Sequence, residues 1–232
     1  MRARDFVKNN VAYHDSLNPA AWDGAELRPE VGARLLEIAK VFVGYLEIPD
    51  FKVIDVVLTG SMTNYNYTKY SDFDIHVVTR YSDLRCDDLA EAFYRAKKQI
   101  WNDAHDIMIR GHEAELYVED IDQPPVSAGT FSLLKNKWIK EPTHNVPTVD
   151  DAAVNAKVRD LIKQIDSTLK TADDPEDLKR IMDKLRKMRR SGLDSTGEFG
   201  VENLAFKILR NMGYLSKISK SYHKQQDMEL SL

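Results

Sequence analysis

Cysteine is almost absent from this 232-residue chain, which contains only Cys86. A single cysteine excludes an intrachain disulfide and a zinc site built from cysteines. Long apolar runs are also missing, because no stretch approaches the roughly 20 residues that a membrane span requires. The charged first residues are not followed by the apolar stretch of a secretory signal. We therefore expect a cytoplasmic protein with no membrane partner.

The composition suits a globular protein with a segregated charge. Hydrophobic residues make up 43% of the chain, and its length fits one large domain or two small ones. Residues 174–232 hold 12 Lys and Arg against 9 Asp and Glu, a net charge of +3, which leaves −7 for residues 1–173. This asymmetry suits an acidic, metal-binding half and a half that attracts phosphate. The acidic half argues against broad nucleic-acid binding.

The most informative segment couples a Gly-Ser turn to an Asp-x-Asp motif. An apolar run at residues 53–59 leads into Gly60 and Ser61, and Ser-Asp-Phe-Asp follows at residues 71–74. A second apolar run comes directly after the motif. A Gly-Ser turn can present backbone N–H groups and a hydroxyl to a phosphate. The order predicts two strands that bring a phosphate-binding turn close to a pair of carboxylates.

The two carboxylates of the motif are expected on one face of their strand. Alternate residues of a strand share a face, so Asp72 and Asp74 should project together while Phe73 and Ile75 are buried on the other. Two adjacent carboxylates repel each other unless a cation lies between them. Oxygen ligands suit Mg²⁺, which completes its shell with water and substrate phosphates.

This arrangement resembles the nucleotidyltransferase superfamily of DNA polymerase beta, in its template-independent form. The resemblance covers roughly residues 30–140 at the level of motifs. It implies an NTP substrate, release of pyrophosphate, and a two-metal mechanism in which Asp72 and Asp74 bridge Mg²⁺ or Mn²⁺ ions. Residues 13–24 also resemble the start of nucleotidyltransferase-like proteins of tailed phages.

The resemblance further implies a third carboxylate on a later strand, as a metal ligand or proton acceptor. Glu113 and Glu115 share a face of the strand predicted there. Glu115 lies between the apolar Ala114 and Leu116, as the third acid of superfamily members typically does, and is favoured. Glu113 lies beside a turn and remains the alternative, and both glutamates could instead be solvated edge residues.

Basic residues must offset the charge of the triphosphate. Residues 179–190 contain seven Lys and Arg but only one acid, although such helical runs are more often a solvated face. One lysine lies in the loop before the acids, and another lies near an apolar helix face. The candidate nucleotide-binding residues are Gly60, Ser61, Lys69, Ser71, Arg190 and Lys207.

We expect an α+β fold, in which a small mixed β-sheet core with flanking helices is followed by a C-terminal helical bundle. The predicted domains are an N-terminal arm at residues 1–28, a catalytic core at 29–142 and a helical domain at 148–232. Prolines mark residues 142–147 as the linker between the last two.

Two helices are predicted in more detail. Apolar spacing favours a helix at residues 83–104. Asp174 and Pro175 are typical of a helix start, and Gly192 is expected to end that helix. The residues expected on the buried face of the first helix are Leu89, Phe93, Ala96 and Ile100.

Three classes of function follow. The first is a nucleotidyltransferase that modifies an RNA end, a protein or a small molecule. The second is a synthase of oligonucleotide second messengers, which uses a nucleotide as acceptor. The third is a catalytically silent nucleotide-binding or interaction module, and the intact Gly-Ser and Asp-x-Asp motifs argue against it.

Overall fold

The computed structural model describes residues 5–84, 87–123, 127–144, 146 and 148–232. Cys86 and part of the expected linker, Asn145 and Pro147, lie outside the described residues. The chain divides into two compact units. Residues 13–145 form the sheet unit, and a helical unit contains the first helix and the last four.

The described elements give the expected α+β class. The helices are α1 (Phe6–Asn10), α2 (Pro29–Leu46), α3 (Asp87–Ala104), α4 (Asp151–Thr171), α5 (Pro175–Thr196), α6 (Val201–Asn211) and α7 (Tyr214–Leu230). The strands are β1 (Trp22–Asp23), β2 (Glu26–Leu27), β3 (Asp55–Thr59), β4 (Phe73–Thr79), β5 (Met108–Ile109), β6 (His112–Asp120), β7 (Thr130–Ser132) and β8 (Lys137–Lys140). Among the described helices, none combines the length and hydropathy that crossing a membrane would require.

Six of the described strands form one mixed sheet in the order β5-β6-β4-β3-β7-β8. Strand β4 runs antiparallel to β3 and parallel to β6. The register pairs Thr59 with Asp74, and Asp74 with Glu115. The end of β3 and the beginnings of β4 and β6 therefore meet at one end of the sheet.

The side chains of β4 alternate as predicted. Phe73 and Ile75 are fully buried in the core with residues of α2 and α3. Asp72, Asp74 and His76 are only partly buried and lie on the opposite face, here called the acid face. The predicted separation of apolar and acidic residues is confirmed.

The predicted buried face of α3 was wrong. Tyr94 and Trp101 lie in the core instead, where the Trp101 ring centroid is 5.4 Å from that of Phe42 and 5.2 Å from that of Tyr45. The predicted and the observed faces of α3 both have helical spacing and are offset by one residue. The observed face carries the larger aromatic rings and therefore buries more apolar area. The residues of the predicted face that are exposed are Leu89, Phe93, Ala96 and Ile100.

The helical unit packs α1 with α4 to α7 around a separate apolar core. Helix α5 begins as predicted, because the Asp174 carboxylate accepts a hydrogen bond of 2.8 Å from the Glu176 N–H, and Pro175 occupies the first turn.

Gly192 does not end α5, and this prediction was wrong. The helix continues to Thr196, and Gly192 is buried inside it. A Cβ atom at Gly192 would lie 2.5 Å from the Glu202 Cβ of α6. The glycine therefore serves close packing of two helices, a role that the sequence pattern does not distinguish from a helix stop.

We predict that Gly192→Ala destabilises the protein by about 1–3 kcal/mol, because the added methyl overpacks the contact between α5 and α6. Gly44→Ala in α2 is the matched control, since a Cβ atom at Gly44 would meet nothing within 4 Å. This control should be neutral or stabilise by up to about 1 kcal/mol. Urea denaturation measures both, and an equal change in the two variants would contradict the packing role.

Candidate active site

The Gly-Ser turn follows β3 directly and lies against the Asp-x-Asp strand. Gly60–Thr63 form a single 3₁₀ turn, and Gly60 has a φ of +75°. A Cβ atom at Gly60 would lie only 2.0 Å from Asp74 Oδ2. The position therefore requires glycine twice, for its backbone conformation and for the close approach of the Asp74 carboxylate.

The segment before β7 supports the turn from the other side. The Gly60 N–H donates to Ser127 Oγ at 3.1 Å. Thr63 Oγ1 lies 3.0 Å from the Gly60 carbonyl oxygen and 2.8 Å from that of Gly129. A Cβ atom at Gly129 would clash with the Thr63 carbonyl oxygen at 2.0 Å. Sequence reasoning missed Ser127 and Gly129, since no motif links them to the turn.

Two of the predicted phosphate-binding residues contact each other. Ser61 Oγ donates to Ser71 Oγ at 2.7 Å, and the Thr68 N–H donates to Ser71 Oγ at 2.9 Å. His112 Nδ1 lies 2.7 Å from the Ser71 carbonyl oxygen, which ties the loop to the start of β6. The hydroxyls thus hold the Gly-Ser turn against the residue that precedes Asp72.

The three predicted acids lie on neighbouring strands of the acid face. Asp72 and Asp74 share the face, and Glu115 is the register partner of Asp74 on β6. Adjacent strands lie roughly 4.8 Å apart, so the carboxylates belong to one patch. Glu113 pairs with Met108 near the start of β6, and burial, followed by the charge of Glu115, raises its pKa.

Tyr117 extends this patch along β6. Its hydroxyl donates to Glu115 Oε2 at 2.5 Å, and its ring stacks on that of His76 with 4.6 Å between centroids. Burial, with the charges of Asp74 and Glu115, raises the Tyr117 pKa far above its ordinary value, so the hydroxyl remains a donor. Lys98 Nζ lies 3.8 Å from the Tyr117 ring centroid.

Lys98 reaches the site from α3, which packs beside β6. One turn further along the helix, Asn102 accepts from the Leu116 N–H at 3.0 Å and donates to its carbonyl oxygen at 3.1 Å. These bonds anchor α3 at the strand edge. Burial lowers the pKa of Lys98, while the charges of Glu115 and Asp74 oppose that shift. Sequence reasoning missed Lys98 because it placed the wrong face of α3 against the sheet.

The other predicted basic residues have contacts of their own. Lys69 is exposed, with Nζ 4.9 Å from the Tyr70 ring centroid. Lys207 and Arg190 belong to the helical unit, where Lys207 Nζ donates to Glu198 Oε1 at 2.9 Å. Three basic residues within 179–190 form exposed ion pairs with acids three residues earlier, which is typical of a solvated helix face.

The donor chemistry of the patch fits a divalent cation. Asp72, Asp74 and Glu115 supply hard oxygen ligands on partly exposed neighbouring positions. Within the described ranges, no three His, Cys, Asp or Glu side chains already converge on a common metal position. The carboxylate of Glu115 is engaged by Tyr117 through one oxygen, and its other oxygen can still act as a ligand.

A comparison with protein families decides the identity of the fold. The nucleotidyltransferase domain family matches residues 46–190, which is more than half of the chain. The chain belongs to this nucleotidyltransferase family. Its predicted membership of the DNA polymerase beta-like superfamily is thereby confirmed. The matched region of the nucleotidyltransferase contains the Gly-Ser turn and all three acids, and it extends into α5. No curated protein and no solved structure matches the chain significantly.

Proposed function

We propose that this nucleotidyltransferase uses a divalent metal ion to move an NMP from an NTP to an acceptor hydroxyl. The observation that carries the proposal is the register of the sheet, which places Glu115 beside Asp74. Asp72 shares their face, and the Gly60 backbone contacts Asp74 directly. Phosphate-binding turn and carboxylates therefore lie within one small patch.

In this proposal the Gly60 turn binds phosphate and the acids bind the metal ions. Ser61 and the backbone of the Gly60 turn hold the β- or γ-phosphate. The Ser61 hydroxyl has a single proton, so on nucleotide binding it exchanges its hydrogen bond to Ser71 Oγ for one to the phosphate. The acceptor oxygen attacks the α-phosphorus, the bond from that phosphorus to the bridging oxygen breaks, and pyrophosphate leaves. The proton of the acceptor hydroxyl passes to Glu115 or to solvent.

Asp72, Asp74 and Glu115 are the residues that would hold Mg²⁺ or Mn²⁺. When bound, such ions neutralise the triphosphate, stabilise the leaving pyrophosphate and make the acceptor hydroxyl more acidic. The chain itself contributes position: strand pairing fixes the spacing of the acids, and Tyr117 restrains the Glu115 carboxylate. Lys69, Arg190 and Lys207 are proposed as further phosphate contacts.

The role of Glu115 is tested by comparing Glu115→Gln with Glu113→Gln. Glutamine at position 115 can still accept from Tyr117 but carries no charge, so transfer should fall at least ~100-fold. The same change at 113, two residues earlier on the same face, should alter transfer less than about threefold. The initial rate of NMP transfer measures both, and the reverse ranking would assign the third acid to Glu113.

Nucleotide binding is tested separately by thermal unfolding. NTP with Mg²⁺ should raise the melting temperature of the parent, because a ligand that binds only the folded state stabilises it. Ser61→Ala removes a donor from the turn and should reduce the rise, as should neutralising Arg190 or Lys207. Thr68→Ala is a control in the same loop. If both basic variants show the same rise in melting temperature as the parent, Arg190 and Lys207 do not bind phosphate and belong to a solvated helix face.

A further inference from the structure

Lys98 of α3 lies beside the acid face but has no role in the transfer described above. Lys98 places a half-buried ammonium over the Tyr117 ring, immediately beyond Glu115. Taking an ammonium partly out of water costs free energy unless an anion compensates it. Among the described side chains, no carboxylate oxygen lies within 4.0 Å of Lys98 Nζ, although the charges of Glu115 and Asp74 act on it.

The preceding lysine shows the contrast. Lys97 Nζ lies 3.6 Å from Glu47 Oε2 and donates to the Tyr45 carbonyl oxygen at 3.4 Å, so it holds α3 against the end of α2. Lys97 therefore has an evident structural partner, whereas Lys98 is directed to the acid patch. The two adjacent lysines of α3 thus have separate contacts, and substituting one leaves the contacts of the other in place.

The strand order gives the patch two distinct sides. Strand β4, which contains Asp74 and directly follows Asp72, lies between β3 and β6. The Gly60 turn ends β3 on one side, and Glu115 and Tyr117 lie on β6 on the other. In nucleotidyl transfer the attacking and leaving oxygens are roughly in line across the phosphorus. With the triphosphate held at the Gly60 turn, the acceptor has to approach from the β6 side.

We propose that Lys98 and Tyr117 form an acceptor subsite, and that the acceptor carries a phosphate beside its reacting hydroxyl. A lysine is a point charge well suited to phosphate, and the Tyr117 ring keeps its ammonium in place through a cation–π contact. A ribonucleotide and the 3′ end of an RNA both offer this chemistry. The inference rests on the proposed function, since it names the second substrate of the same site.

The subsite is tested by binding of a short fluorescein-labelled oligoribonucleotide, followed by anisotropy, with unlabelled AMP as competitor. Lys98→Gln should weaken binding at least ~10-fold, as expected for the loss of a charge-assisted phosphate contact. Lys97→Gln should bind within about twofold of the parent, and Lys98→Arg, which keeps the charge, should retain most of the affinity. Displacement of the oligoribonucleotide by AMP indicates a nucleotide acceptor. Binding of the oligoribonucleotide that AMP does not displace indicates an RNA end.

Equal binding of the labelled oligoribonucleotide by Lys98→Gln and the parent, or no binding of it by the parent, would overturn the subsite. The rise in melting temperature with NTP and Mg²⁺ separates this failure from failure of the proposed function. A parent whose melting temperature rises with NTP but which does not bind the labelled oligoribonucleotide refutes only the acceptor assignment. A parent that shows no rise in melting temperature with NTP and no binding of the oligoribonucleotide refutes both the proposed function and the acceptor subsite.

Discussion

Replacing Asp72 or Asp74 by asparagine is expected to abolish nucleotidyl transfer, with a loss of at least ~10³-fold. The neutral amide keeps the size of the side chain but removes the negative charge that a divalent cation requires. Both side chains are partly exposed on the acid face, so the fold should persist. Loss of repulsion between adjacent carboxylates can even raise the melting temperature in metal-free buffer.

The control for these variants is Asp23→Asn, an exposed aspartate of β1 outside the acid face. It should keep parental activity and stability. Initial rates of NMP transfer and melting temperatures are measured for all three variants. Activity within about tenfold of the parent in either Asp72→Asn or Asp74→Asn would contradict a catalytic role for the pair.

Gly60→Ala is the second change with a large expected effect. The new methyl would lie 2.0 Å from Asp74 Oδ2, and the alanine backbone would also have to adopt a φ of +75°. The Asp74 carboxylate must therefore move, and a displacement of about 1 Å can cost on the order of 100-fold in rate. We also expect a loss of stability of about 1–3 kcal/mol from the strained backbone and the close contact.

Gly24→Ala separates these two causes. Gly24 has a φ of +61°, but a Cβ atom there would meet nothing within 4 Å. This control should lose about 1–2 kcal/mol of stability from backbone strain alone and keep full activity. Transfer rates and melting temperatures decide the comparison. Parental activity in Gly60→Ala would show that the approach of Gly60 to Asp74 does not position the carboxylate.

The arrangement of β3 and β4 could be predicted because local rules determine it. A strand has a period of two, so the pattern from Asp72 to Ile75 specifies which residues face the core. The turn before it requires a glycine where the backbone enters the left-handed region. Glu115 is the register partner of Asp74, and its role as third acid stays a prediction.

The rest depends on contacts between distant parts of the chain. In α3 two faces one residue apart fit helical spacing, and only packing of Trp101 against α2 selects between them. The same packing brings Lys98 near the acids, so the wrong helix rotation also hid this lysine from the sequence-based prediction. The sequence pattern at Gly192 predicts a helix end, because the packing of α6 against this glycine is not visible in the sequence. Ser127 and Gly129 carry no signal that links them to the turn.

The most direct test of the account supplies the purified parent with each NTP in turn, labelled at the α- or the γ-phosphate, with Mg²⁺ and with or without total RNA. We predict that the α-label appears in an acceptor while the γ-label is released as pyrophosphate in equal amount, and that EDTA stops both. The absence of transfer from every NTP, or release of the γ-label as inorganic phosphate without transfer of the α-label, would contradict nucleotidyl transfer at this site.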